Sequence, residues 1–359
     1  MYKGYYKCLY RHDSDLRSYQ QSAKETICAT WDKVDNILFQ MPVGTGKTYL
    51  LASLIKDLLE RDKREGKIVI IAHRWDLLDQ ISTLLTRHEI EHGILFAGKK
   101  QDLTQRVQIA PVAIGMQVKN HTVDEYADLK IDYLIIDEAH NTVTRPYAVL
   151  CRRFKNAKKL GITATPWRMK NGGFTGFDCY PKPPIYFQEL ITSPAISWFI
   201  EHKILAPCEC HTIAQGAEPK QLTDSYLTFA NGKQGIVFAG NKIQGKNICQ
   251  AYENAGVTTA YIDNRTRQKA VDMTIQQFRE GKVQVIVNTG YFSDGFACPE
   301  VQFIQLASPT ESLAEYLQQV SLGMRPAKDG SLCVILDHVG SIAKFGLPTD
   351  DRQWLIEGR

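Results

Sequence analysis

The sequence predicts an α/β protein with two lobes, each built on a parallel sheet. Two observations carry this. Short β-branched apolar runs are nearly continuous rather than alternating, as in strands covered on both faces, and helical patterns follow them as repeated βα units. The same order recurs in the second half of the chain, without a second glycine-rich Lys-Thr turn.

In the first half, Lys67–Ala72, Val107–Ile114, Tyr133–Ile136 and Leu160–Thr163 read as buried strands. Helical spacing of apolar residues covers Thr48–Leu59 and Asp76–Arg87. In the second half the strands are Gly235–Ala239, Val283–Val287, Val301–Leu306 and Leu332–Leu336, with helices over Ile243–Ala255, Gln268–Arg279 and Ser312–Gln319. Asn171-Gly-Gly-Phe-Thr-Gly and Pro181-Lys-Pro-Pro184 mark irregular backbone, and Ala195–Lys203 reads as a helix leading out of the first lobe. The expected division is a first domain over residues 1–205, a second over 206–342 and a tail over 343–359.

Composition sets wide bounds. A length of 359 residues suits about two domains, and 44% hydrophobic with 23% charged residues is ordinary for globular proteins. The net charge of +4 permits a nucleic-acid partner without demanding one. No apolar stretch approaches the ~20 residues of a membrane helix, and Met1-Tyr-Lys-Gly-Tyr-Tyr is too polar for a signal peptide. A cytoplasmic monomer with no membrane association is expected. The nine cysteines are scattered and suit reduced thiols. Cys208-Glu-Cys210-His211 lacks the second pair of a zinc site.

Chemistry concentrates in two segments. Met41-Pro-Val-Gly-Thr-Gly-Lys-Thr48 is a glycine-rich turn opening a helix. Backbone N–H groups around Gly44 and Gly46 can surround phosphate oxygens, Lys47 can reach the β- and γ-phosphates, and Thr48 can ligate Mg2+. Asp137-Glu-Ala-His140 ends an apolar run, at the strand end where α/β sheets bind ligands. Asp137 is the expected metal ligand and Glu138 the base for attacking water, since one carboxylate cannot fill both roles.

With Pro-x-Gly-x-Gly-Lys-Thr in place of the stricter turn, the chain resembles the superfamily 2 DExH-type (DEAH-box) helicases from about Leu16 to Val339. The resemblance implies two tandem RecA-like P-loop domains with ATP and Mg2+ in the inter-domain cleft. Leu16-Arg-Ser-Tyr-Gln-Gln21 is similar to the adenine-reading motif, with Gln20 in the contacting position. The nucleotide contacts so implied are Arg17, Gln20, Gly44, Thr45, Gly46, Lys47, Thr48, Tyr49 and Gly295. Thr163-Ala-Thr-Pro166 resembles the coupling motif, and His140 is expected to bond across the cleft to the second lobe. Nucleic-acid contacts are implied at His73, Arg74, Gln117, Ala239, Asn241 and Thr289. Gln318–Pro326 resembles the arginine motif, which makes Arg325 the finger. Thr165-Pro-Trp-Arg168 and Ile335-Leu-Asp-His-Val-Gly340 are nearest the RadD and XPB group. The sequence ends before the zinc-ribbon region of RadD-like proteins, so that region is expected to be absent.

Two positions depart from the family pattern. Its Gly-Arg reads Ser321-Leu322, and its Gly-Phe-Asp-x-Pro reads Gly295-Phe-Ala-Cys-Pro299. Weakened but real hydrolysis is expected, rising if arginine replaces Leu322. Three functions stay open: a helicase or translocase, with single-stranded or forked DNA favoured and RNA also open, in repair, recombination or phage replication; a motor subunit of a restriction or defence complex with protein partners; and an ATP-binding nucleic-acid clamp with weak turnover.

Overall fold

The structure, a computed structural model, describes residues 16–62, 64–72, 75–95, 102–112, 129–143, 145–166, 187–213, 216–292, 301–327 and 330–355. Among them the strands form two all-parallel sheets, one seven-stranded and one six-stranded.

The first half runs α1 (Ser18–Trp31), β1 (Asn36–Gln40), α2 (Lys47–Arg61), β2 (Lys67–Ala72), α3 (Trp75–Arg87), β3 (His92–Ile94), β4 (Val107–Pro111), β5 (Ile131–Asp137), α4 (Arg145–Arg153), β6 (Lys158–Thr163), β7 (Glu189–Thr192) and α5 (Ile196–Glu201). Its sheet order is β3-β4-β2-β5-β6-β1-β7. Alternate residues of each strand enter different cores. Ile37, Phe39, Ile68, Ile70, Tyr133 and Ile135 pack on one side, and Leu38, Val69, Ile71, Leu134 and Ile136 on the other. Both faces are covered, which is why these runs are apolar at every position.

The second half runs β8 (Cys208–Thr212), α6 (Pro219–Phe229), β9 (Gly235–Phe238), α7 (Lys242–Asn254), β10 (Thr259–Asp263), α8 (Gln268–Arg279), β11 (Val285–Thr289), β12 (Phe303–Leu306), α9 (Leu313–Ser321), β13 (Cys333–Asp337) and α10 (Ser341–Phe345), in sheet order β10-β11-β9-β12-β13-β8. Ile236, Ile286, Ile304 and Ile335 face one core, and Val237, Val285, Phe303 and Val334 the other. The expected strand at Val283 begins two residues later, at Val285. Cys208-Glu-Cys210-His211 belongs to the edge strand β8, paired with β13.

Among the described residues the lobes meet at several places. Met324, whose O accepts from Ala206 N at 2.7 Å, packs in the first-lobe core. Gly44 of the first lobe lies against Leu205 and Arg325. The expected tail instead forms a strap: Trp354 packs on the second-lobe core, while Asp351 accepts from Ser197 N at 2.9 Å and Ser197 Oγ at 2.5 Å. That Asp–Ser pair ties the strap to the start of α5. Among the described residues no helix is long and apolar enough to cross a membrane.

Candidate active site

Sheet order assembles the site. β5, β6 and β1 are consecutive neighbours, so Asp137, Thr163 and the 41–48 turn emerge side by side at the C-terminal edge. Met41 N donates to Thr163 O at 3.0 Å, which fixes the turn to β6.

Backbone conformation makes the turn a glycine structure. Gly44 has φ +84° and Gly46 φ +91°, and Gly46 is the residue that opens α2. A Cβ on Gly46 would lie 2.5 Å from Gln20 Nε2. Thr45 is buried, its Oγ1 donating to Pro42 O at 2.7 Å, so it presents backbone alone. Lys47 Nζ rests on Met41 O at 3.2 Å and Pro42 O at 3.5 Å, folded over the turn's own carbonyls. Thr48 is exposed in the first turn of α2. Tyr49 faces elsewhere: its ring lies edge-on to His88, centroids 5.7 Å apart, because its place on α2 directs it toward the end of α3.

The acidic pair is held in two different states of exposure. Asp137 is half-buried, and its Oδ1 accepts from Glu138 N at 2.9 Å. Glu138 is buried and has φ +48°, a left-handed conformation uncommon outside glycine. Such strain concentrates at functional sites. His140 Nδ1 lies 3.3 Å from Glu138 Oε2 and 3.1 Å from Thr163 Oγ1. Thr163 Oγ1 donates to Thr165 O and accepts from Thr165 N. With the threonine proton so placed, Nδ1 carries the imidazole proton and donates. Both of these contacts lie within the first lobe, because adjacency of β5 and β6 puts Thr163 beside the acidic pair.

From the second lobe, Arg325 follows a 3-10 turn over Leu322–Met324, and its Cγ lies 3.7 Å from the Cβ position of Gly44. Leu322 is buried in the second-lobe core. An arginine there would enter apolar packing, which counts against the expected gain from Leu322→Arg. Gly295 and Ala297 lie outside the described residues.

Gln20 reaches the phosphate turn. Its Oε1 accepts from Arg17 N at 2.9 Å, and its Nε2 donates to Gly46 O at 3.1 Å and Thr45 O at 3.4 Å. Tyr19 OH also donates to Thr45 O, at 2.6 Å. Both side chains brace the turn. Arg17 is exposed and lines a cavity of about 290 Å3 with Trp198, His202 and Lys203, residues that sequence reasoning missed because no motif marks the end of α5. A second cavity, of about 420 Å3, lies under the strap between Pro42, Thr165, Ser321 and Trp354.

Two families match the chain in tandem: "Type III restriction enzyme, res subunit" over residues 13–168 and "Helicase conserved C-terminal domain" over residues 218–325. These matches support a superfamily 2 helicase. Among relatives, a 51.5 kDa protein of Lactococcus phage (isolate 7-9) is 25% identical over 88% of this chain and 68% of its own length. The Saccharomyces cerevisiae protein IRC3, provisionally named an ATP-dependent helicase, is 23% identical over 93% of this chain, which spans 53% of it. Among solved structures, the DNA-bound Type ISP restriction-modification enzyme LlaBIII aligns with TM-score 0.68 and 16% identity, over 89% of this chain and 27% of that one. Saccharomyces cerevisiae Dbp5 bound to RNA and ADP–BeF3 aligns with TM-score 0.63 and 15% identity, over 91% of this chain and 88% of that one. Those likenesses establish the tandem RecA-like fold.

In this helicase-like frame the expected nucleic-acid residues fare unevenly. Ala239 is buried, its methyl in the second-lobe core and its N–H bonded to Asn288 O, so its side chain offers nothing to a strand. Asn241 is exposed and caps α7, its Oδ1 accepting from Gln244 N at 3.0 Å. Thr289 closes β11. His73, Arg74 and Gln117 lie outside the described residues.

Proposed function

We propose that this chain is an ATP-dependent nucleic-acid translocase or helicase, with residues 1–205 as the nucleotide-binding lobe and 206–342 as the responding lobe. The observation that carries the reading is the approach of Arg325 to Gly44: the stem of an arginine from one lobe meets the phosphate turn of the other. DEAH-box character and kinship with the RadD and XPB group belong to the same proposal.

The turn fits a triphosphate. Its two left-handed glycines place no side chain of their own in the cradle, and among the described residues the Lys47 ammonium bonds carbonyls that phosphate oxygens can replace. Thr48 and Asp137 are the ligands for Mg2+. Among the described residues no group of three or more His, Cys, Asp or Glu side chains could hold a metal, which suits an ion completed by phosphates and water. Bound Mg–ATP supplies the phosphoryl group and a charge-neutralising cation. Lys47 orients the phosphates. Glu138 takes the proton of the attacking water on its carboxylate, whose Oε2 lies 3.3 Å from His140 Nδ1. Arg325 stabilises charge on the transferring group. The His140–Thr163–Thr165 chain of bonds joins the base to the β6 end, beside the lobe junction.

The partner we propose is single-stranded or forked DNA, gripped by its phosphates and therefore without sequence preference. A second reading, the motor of a restriction or defence assembly, is favoured by the family that matches residues 13–168 and by the LlaBIII likeness. Steady-state ATPase with single-stranded DNA, duplex DNA and RNA side by side tests the proposal. Stimulation by DNA that Lys47→Ala and Glu138→Gln both abolish is expected, with Glu138→Gln still binding ATP. No stimulation by any strand would remove it. Unwinding by the isolated chain separates the two readings.

A further inference from the structure

Helix α5 is capped from the opposite lobe. Its N-cap residue is Ala195, whose side chain offers no acceptor to the free N–H groups of the first turn. Asp351 fills that role. Its Oδ1 accepts from Ser197 N at 2.9 Å and its Oδ2 from Ser197 Oγ at 2.5 Å. A carboxylate there also meets the positive end of the helix. α5 itself belongs to the first lobe, with Phe199 fully buried in that core.

Asp351 is carried on a loop folded onto the second lobe. Phe345 stacks on Tyr316 of α9 with centroids 5.4 Å apart, and Tyr316 OH donates to Gly346 O at 2.8 Å. Arg352 Nη2 donates to Phe345 O at 3.0 Å and to Leu347 O at 2.9 Å. Asp350 closes the loop on itself by accepting from Leu347 N at 2.7 Å. The two neighbouring carboxylates therefore serve different lobes, Asp350 its own loop and Asp351 the first-lobe helix.

Beside this contact the junction is open. Pro42, Thr165, Leu317, Ser321, Met324 and Trp354 line the cavity of about 420 Å3 between the lobes. Domains joined without a large apolar interface move relative to one another by default. A few discrete contacts then set the pose. The clasped pose is the one that brings the stem of Arg325 to Gly44.

Resting on the nucleotide reading above, we propose that the Asp351–Ser197 pair is an intramolecular clasp and that Asp351 is a positioning residue for ATP hydrolysis. The clasp holds the lobes apposed before nucleotide arrives. ATP then meets a pose that is already populated, and its apparent affinity is not reduced by the fraction of molecules lying open. Loss of a capping carboxylate corresponds to about fivefold in the equilibrium between the poses.

The test is equilibrium titration with N-methylanthraniloyl-ATP and Mg2+, together with steady-state ATPase in the presence of single-stranded DNA, on the full chain. Asp351→Ala is expected to weaken nucleotide binding and raise KM for ATP by about fivefold, with kcat not lowered. Ser197→Asp sets two carboxylates against each other and is expected to weaken binding at least as much. Combining it with Asp351→Ser restores a hydroxyl–carboxylate pair across the lobes, and affinity is expected to return to within about twofold of wild type. Wild-type affinity and KM in Asp351→Ala, or an exchanged pair no better than Ser197→Asp alone, would overturn the clasp while leaving the phosphate turn intact. A fall in kcat with KM unchanged would overturn it as well, because the clasp acts on the pose and not on the chemical step. Wild type that binds no nucleotide would overturn the nucleotide reading with it.

Discussion

The stem of Arg325 lies 3.7 Å from the point where a side chain on Gly44 would begin, so the second lobe touches the first at the phosphate turn itself. A residue there with any side chain would meet Leu205 at 3.3 Å and adopt a strained φ of +84°. Closure and phosphate binding therefore share one contact. Arg325→Ala is expected to lower strand-stimulated turnover by about 10³-fold or more while changing ATP affinity far less. Single-turnover hydrolysis and equilibrium ATP binding check this; an unchanged rate would take the finger role from Arg325.

Leu322 presents the opposite case. It is 3% exposed within the second-lobe core. Leu322→Arg places a guanidinium among apolar side chains, at a cost of about 3 kcal/mol or more. The expected outcome is a lower urea midpoint and no gain in ATPase. Full stability with faster hydrolysis would show that the arginine escapes the core and reaches the cleft.

His140 and Thr163 form a link between the acidic pair and the β6 end at 3.1 Å. A hydrogen bond of this kind beside a carboxylate is worth about ten- to hundredfold in rate. His140→Ala and Thr163→Val are each expected to reduce nucleic-acid stimulation by that factor, leaving ATP binding in place. The double variant should be little worse than either single one, because both remove the same link. Additive losses in a double-mutant cycle would mean that the two residues act separately.

His338 connects protonation to second-lobe stability. Its ring bonds to Gly216 O at 2.6 Å and Ser225 Oγ at 2.8 Å, and burial lowers its pKa below the usual histidine value. The unfolded chain therefore binds the proton more readily than the folded one. Stability from this group is full above the unfolded pKa, near 6.5, and is lost as pH falls through the lower folded value. Urea midpoints from pH 8 to 5 should decline, and His338→Gln should flatten that decline. A slope identical in the two proteins would place its origin elsewhere.

Much of this protein is local and therefore legible in one dimension. Strands buried on both faces need apolar residues at consecutive positions, so Ile68–Ala72 and Tyr133–Ile136 declare themselves without any knowledge of their neighbours. A phosphate turn is a short stretch of backbone whose glycines must reach positive φ, so Gly44, Gly46 and Lys47 are visible as a string. What the string does not carry is direction. Gln20 bracing Thr45 and Gly46, Tyr49 turned to His88, Ala239 packed in a core and Leu322 withdrawn from the cleft are consequences of which elements become neighbours. The strap from Asp351 to Ser197 and the stack of Trp198 and His202 belong to the same class. Motif spacing reports residue types along the chain. Only the packing of two sheets and their connections decides which face each side chain presents, because that choice is made by contacts between segments far apart in sequence.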